Sequence, residues 1–159
     1  MSVNKYQPHV LVLPEDDANR QLLNGFRMDP LLSIRRIGVL PVAGGWNEVL
    51  ETFDSIHVAE MERCPFRSMI LLIDFDGDED RLSRAQARIP GHLSDRVYIL
   101  GAWTKPEDLK TALGSYETIG SAMARDCREE TETTWGHALL RHNASELTRL
   151  REHVRPILF

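Results

Sequence analysis

Two apolar runs in this chain each end in a burst of carboxylates. His9-Val10-Leu11-Val12-Leu13 passes through Pro14 into Glu15-Asp16-Asp17, and Met69-Ile70-Leu71-Leu72-Ile73 passes into Asp74-Phe75-Asp76-Gly77-Asp78. Short continuous apolar runs bounded by turn residues are the pattern of parallel strands buried on both faces. Neighbouring strands stand about 4.8 Å apart, so if these two are adjacent their acidic ends lie side by side. Carboxylates held that close repel, and they either raise one another's pKa or gather around a divalent cation. The pattern points to a magnesium or manganese site at one edge of a sheet.

At 159 residues with 42% hydrophobic content, the chain has the size of one domain. Its formal net charge of -5 supplies no general basic field, so binding nucleic acid needs a local patch or a bridging metal. Cys64 and Cys127 lack CxxC spacing, which indicates neither a disulfide framework nor a zinc site and fits a reducing cytoplasm. No apolar run approaches the roughly 18 to 20 residues that span a bilayer, and no basic segment followed by an apolar stretch opens the chain. A soluble cytoplasmic protein with no membrane contact is expected.

Strands and helices alternate through the first hundred residues. After the strand at 9–13, residues 17–28 place Leu22, Leu23 and Phe26 on one helical face, with Asp17 as N-cap. A second strand, 34–42, ends at Gly44-Gly45, and residues 46–62 carry Trp46, Val49, Leu50, Phe53, Ile56 and Met61 near one stripe. The third strand, 68–73, leads through the Asp-rich turn into a helix near 79–89, and a fourth strand covers 96–100. This alternation predicts βαβ units and an α/β fold: a four-stranded, mainly parallel, doubly wound sheet. Right-handed crossovers and the usual strand order place the first strand between the second and third. Ligands in such sheets bind outside the carboxyl ends at the switch point, which is where Glu15 and Asp74 to Asp78 fall.

Past residue 101 the pattern becomes helical. Thr104-Lys105-Pro106-Glu107 reads as a capping box opening a helix to Leu113, Tyr116 to Cys127 reads as another, and 128–134 as a loop. Asn143 with Glu146 three residues on reads as a further cap, for a helix to Val154 that Pro156 stops. The expected organisation is an α/β domain over 1–103 and a C-terminal helical extension over 104–159 packed on it. Ile157-Leu158-Phe159 is an apolar end for docking on the body or on a partner.

A strand ending in glutamate, a second ending in glycine and a third ending in Asp-x-Asp resemble the Toprim domains of topoisomerases, bacterial primases, ribosomal-RNA maturases and nucleases of the overcoming-lysogenisation-defect type. The matching residues are Glu15, Gly44-Gly45 and Asp74-Phe75-Asp76, within a resemblance that covers roughly 9–101. It implies Glu15 as general acid or base and metal contact, with Asp74 and Asp76 holding Mg2+ or Mn2+. Asp76-Gly77-Asp78 resembles the primase version, a second frame that adds Asp78. The family usually has glycine after the glutamate and often aspartate four residues on; this chain has Asp16 and Asn19.

The run Val10 to Arg20 also resembles the opening of a response-regulator receiver domain. That resemblance implies paired acids binding magnesium beside a phospho-accepting Asp74. Gly101-Ala102 lacks the receiver hydroxyl, and Lys105-Pro106 follows the fourth strand without an intervening helix and strand.

Other singled-out residues have structural readings beside functional ones. Asp16, Asp17, Asp78, Glu79 and Asp80 suit helix starts. Gly44-Gly45 suits a phosphate cradle of backbone amides or a plain tight turn. Trp46 and Trp103 read as core or rim, His57 and His92 as surface, the cysteines as buried thiols. His137 and His142 lie five residues apart and do not share a helical face well. The expected function is Mg-dependent phosphodiester chemistry on nucleic acid. The alternative is a non-catalytic degenerate Toprim or pseudo-receiver module acting through protein contacts, with an ATPase partner subunit supplying the nucleic-acid grip. A basic stripe of Arg20, Arg35, Arg36, Arg81, Arg84 and Arg88 near the carboxylates favours the enzyme, and their scatter favours the module.

Overall fold

In the computed structural model, which describes residues 3–159, the two apolar runs are neighbouring strands. The sheet is four-stranded and all-parallel in the order β2-β1-β3-β4, built from β1 (His9–Pro14), β2 (Ile37–Val39), β3 (Arg67–Leu72) and β4 (Val97–Leu100). β1 and β3 pair from His9 opposite Arg67 to Pro14 opposite Leu72, and the Glu15 amide continues the ladder to the Leu72 carbonyl at 2.9 Å. The α-helices, in chain order, are α1 (Asp17–Phe26), α2 (Trp46–Thr52), α3 (Val58–Arg63), α4 (Arg81–Ala87), α5 (Pro106–Leu113), α6 (Tyr116–Glu129), α7 (Ala144–His153) and α8 (Arg155–Leu158).

Alternating side chains divide the core between the two faces of the sheet. Val10, Val12, Ile70, Leu72, Tyr98 and Leu100 pack against α1 and α5 to α8; Leu11, Leu13, Met69, Leu71, Val97 and Ile99 pack against α2, α3 and α4. Both faces are buried, which is why the strands read as unbroken apolar runs. The C-terminal helices therefore build half of the core, and Leu158 is buried in it with Phe159 beside Phe26. Helix α6 lies hard against α1 through two glycines. A Cβ at Gly120 would stand 1.9 Å from the Leu22 carbonyl oxygen, and one at Gly25 would stand 2.2 Å from that of Glu117.

Several local expectations are corrected. β2 is only three residues long, preceded by a 3-10 turn over Ile34–Arg36, although Leu40, Ala43 and Gly44 still donate to β1 carbonyls and to Glu15. The 46–62 helix contains a π turn at Phe53–His57. Its extra residue rotates the stripe, so Ile56 is 55% exposed and His57, expected at the surface, is buried. The N-cap of α1 is Asp16, not Asp17. Thr104 forms no capping box; Lys105 occupies the cap and the Thr104 hydroxyl donates to Asp108.

Asn143 occupies the N-cap position of α7 as expected, but its side chain makes no capping hydrogen bond. Its side chain instead accepts from the Gly101 amide at 3.1 Å and donates to the Gly101 carbonyl at 3.0 Å. Glu146 accepts the Ile99 amide at 2.8 Å, and Arg149 donates to the Ser94 carbonyl at 2.7 Å. One face of α7 thus supplies the hydrogen bonds that another strand would give the outer edge of β4. Covering an edge in this way removes a template for pairing with other chains.

Candidate functional site

The carboxyl ends of β1 and β3 form one crevice. Glu15, one residue past β1, accepts the Asp74 backbone amide at 2.6 Å. The Asp74 carboxylate accepts from the Asn19 side-chain amide at 2.9 Å, and that amide also donates to Asp16 at 3.0 Å. Three acidic groups from two strand ends are therefore linked through one backbone N–H and one buried asparagine. Asn19 is fully buried, and its carbonyl oxygen has no hydrogen-bond partner.

The electrostatics follow from crowding. Asp74 is 7% exposed, and its pKa is pushed up to about 7, first by burial, against the Asn19 hydrogen bond, with the charges of Glu15, Asp16 and Asp76 adding to the rise. Glu15 is raised as well, mainly by burial and further by Asp16 and Asp76, while the Asp74 amide and Arg81 oppose the rise. Tyr116, at the start of α6, is raised by burial and further by the charges of Glu107, Asp16 and Asp74.

The other proposed ligands stand differently. Asp76 has φ 50°, a left-handed conformation that aspartate tolerates better than most residues. Its carboxylate pairs with Arg81 at 2.8 Å, and Asp78 pairs with Arg84. Among the described residues no group of three or more His, Cys, Asp or Glu side chains is assembled to hold a metal ion. As donors, Glu15 and Asp74 fit a hard divalent cation, being oxygen ligands that repel one another in a partly dry crevice; Asp76 and Asp78 are committed to arginines.

Gly44 adopts φ 103° and spends its amide on the Glu15 carbonyl at 2.8 Å, so Gly44-Gly45 is a turn that ties β2 to the end of β1, and this amide is not open to a phosphate. His137 and His142 do not join the carboxylates. The His142 ring packs on Phe75 at 4.8 Å and Trp103 at 5.2 Å, behind the Asp74 turn, with burial lowering its pKa. Of the arginines, Arg81 and Arg84 lie over Trp46 at 4.4 and 5.8 Å, and Arg88 reaches Asn47. Arg36 bonds the Pro8 carbonyl at the opposite end of the sheet, and Arg20 is paired with Asp17. The basic residues form a short α4 patch, not a stripe.

Sequence reasoning missed the roles of Asn19 and Arg81. Asn19 was visible only as a departure four residues after Glu15, and Arg81 only as one arginine among six. No family model, curated protein or solved structure matches this chain. Fold and site define its class: a parallel α/β protein with an acidic crevice at the topological switch point. No helix among the described residues is long and apolar enough to cross a membrane.

Proposed function

We propose that the crevice is a divalent-cation site of the Toprim-like kind, serving phosphodiester chemistry on nucleic acid. The observation that supports this most is the meeting of Glu15 and Asp74 at the switch point, joined at 2.6 Å and both raised in pKa. Mg2+ or Mn2+ bound there would polarise a phosphodiester and lower the pKa of a bound water. Glu15 and Asp74 would hold it. Burial and neighbouring charge raise the proton affinity of Glu15, which suits an acid/base role. Asn19 holds the carboxylates of Asp16 and Asp74 in place, and Trp46 with Arg84 and Arg88 offers a flanking surface for a polyanion.

The ion pairs of Asp76 and Asp78 favour a second reading, the non-catalytic module whose carboxylates are neutralised internally. A pseudo-receiver has less support: four strands are present among the described residues and Lys105 is exposed at the start of α5. Titration of Mn2+ followed by electron paramagnetic resonance, with a plasmid-nicking assay, separates the readings. Binding that Asp74→Asn removes and nicking that Glu15→Ala removes are expected. Cation binding without cleavage, cured by an added ATPase subunit, would move the nucleic-acid grip to a partner. No binding would leave the module, and phosphorylation of Asp74 by acetyl phosphate would make it a receiver.

A further inference from the structure

Arg81 is a cation already inside the crevice. Its side chain is 10% exposed, whereas that of its partner Asp76 is 58% exposed. One guanidinium nitrogen donates both to the Asp74 carbonyl at 2.7 Å and to the Asp76 carboxylate at 2.8 Å. The group lies over the Trp46 ring at 4.4 Å, and its Nε is buried without a partner. The charge of Arg81 acts on Glu15 against that of Asp76: the arginine favours its ionised form and the aspartate opposes it.

Resting on the cation-site reading above, we infer that Arg81 is a built-in counter-ion that holds Asp76 out of the ligand set, and that its release completes the site. The two halves of the pair are unequally anchored. Arg81 keeps Trp46 and the Asp74 carbonyl if Asp76 leaves. Asp76 uses one oxygen on Arg81, and its carboxylate is otherwise open to solvent, which competes for it. The class of ligand that draws a guanidinium away from a carboxylate is a phosphate oxyanion, which matches its fork of donors. A substrate phosphate taking Arg81 would hand Asp76 to the cation, so phosphate and cation would strengthen each other's binding, as linkage requires. With Arg81 engaged, the crevice offers Glu15 and Asp74 alone.

The test is Mn2+ affinity in wild type, Arg81→Met, Asp76→Asn and the double variant, read by electron paramagnetic resonance with circular dichroism as the folding control. Arg81→Met keeps a long apolar stem against Trp46 and is expected to bind Mn2+ about tenfold more tightly than wild type, a typical size for coupled sites. The double variant should lose that gain. Inorganic phosphate should tighten Mn2+ binding in wild type but not in Arg81→Met. Unchanged or weaker binding in Arg81→Met, with Asp74→Asn still abolishing it, overturns the counter-ion and leaves the cation site standing. Absence of binding in both wild type and Arg81→Met overturns both. Should Arg81→Met fail to fold, Asp76→Asn decides: asparagine tolerates the left-handed backbone, and affinity equal to wild type with and without phosphate overturns the inference.

Discussion

Along the outer edge of β4, Glu146 receives the Ile99 amide and the Arg149 guanidinium, each at 2.8 Å, and Asn143 satisfies both backbone groups of Gly101. At the carboxyl ends of β1 and β3, Glu15, Asp16 and Asp74 share one asparagine and one backbone amide, and Asn19 keeps an acceptor with no donor. Both regions bury carboxylates beside the same sheet. In the first the Glu146 carboxylate meets two donors and the Arg149 guanidinium meets acceptors, so buried polarity acts as a structural part of the fold. In the second three carboxylates share one asparagine and one backbone amide with no cation among the described residues bonded to Glu15, Asp16 or the Asp74 carboxylate, and burial with neighbouring charge raises Glu15 and Asp74 in pKa. The difference separates buried polarity whose partners are complete from buried polarity whose partners are shared.

The largest expected effect lies at the β4 edge. Glu146→Leu leaves the Ile99 amide without an acceptor and the Arg149 charge without its carboxylate, and should cost about 3 kcal/mol in urea unfolding. It should also bring concentration-dependent association through the uncovered edge. A loss below about 1 kcal/mol would mean that the edge is not held by α7 in the way the hydrogen bonds imply.

At the crevice the sign reverses. Asp74 holds its proton up to about pH 7 when folded, whereas an unfolded aspartate releases it near pH 4, so between these values the folded state binds more protons. Stability therefore falls as pH rises across that window. The span corresponds to about 4 kcal/mol at most, and water reaching the opened end of the crevice brings the expected loss to about 2 kcal/mol. Asp74→Asn should flatten that slope and melt higher than wild type at pH 8 without metal. A wild-type slope of the opposite sign would break the contrast between the two regions.

The legible part of the molecule was the part governed by burial. The strands of β1 and β3 are apolar on both faces because helices cover both, so the runs from Val10 and from Met69 marked them, and right-handed crossovers then set the strand order. Acidic strand ends marked the crevice for the same reason, since Glu15 and Asp74 follow directly on the apolar runs. Polar side chains were legible only by local spacing, which is ambiguous. Asn143 and Glu146 have cap spacing, yet both turn outward to β4, a partner more than 40 residues away in sequence. The π turn at Phe53–His57 has no periodic signature and displaced Ile56 and His57. Asn19 and Arg81 gain their roles only through partners brought in by the fold.

Asn19→Asp sharpens the comparison by adding a carboxylate where the two linking hydrogen bonds now are. It should destabilise the metal-free protein by about 1 to 2 kcal/mol at pH 8. Saturating Mn2+ should recover most of that loss by binding the folded state alone. Equal melting temperatures for wild type and Asn19→Asp without metal would show that the crowding is relieved by solvent.

The smallest effect compares two N-caps of the same kind in different surroundings. Asp16 caps α1 by accepting the Asn19 amide at 3.0 Å, and Ser115 caps α6 by accepting the Thr118 amide at 3.2 Å. Ser115→Ala removes an isolated cap and should cost about 1 kcal/mol. Asp16→Asn keeps an acceptor of nearly equal capping strength and deletes a charge that faces Glu15 and Asp74. Part of the attraction between that charge and the helix N-terminus is also lost, about 0.3 to 1 kcal/mol at a surface position. Relief of repulsion from the buried Asp74 and the half-buried Glu15 should exceed it, leaving the variant more stable by about 0.5 kcal/mol at pH 8 and low salt. At pH 5, where Asp74 carries its proton, the gain should vanish and the lost dipole interaction should remain. Chemical denaturation at the two pH values measures the change of sign, and an Asp16→Asn effect independent of pH would mean that the cap acts on its helix alone.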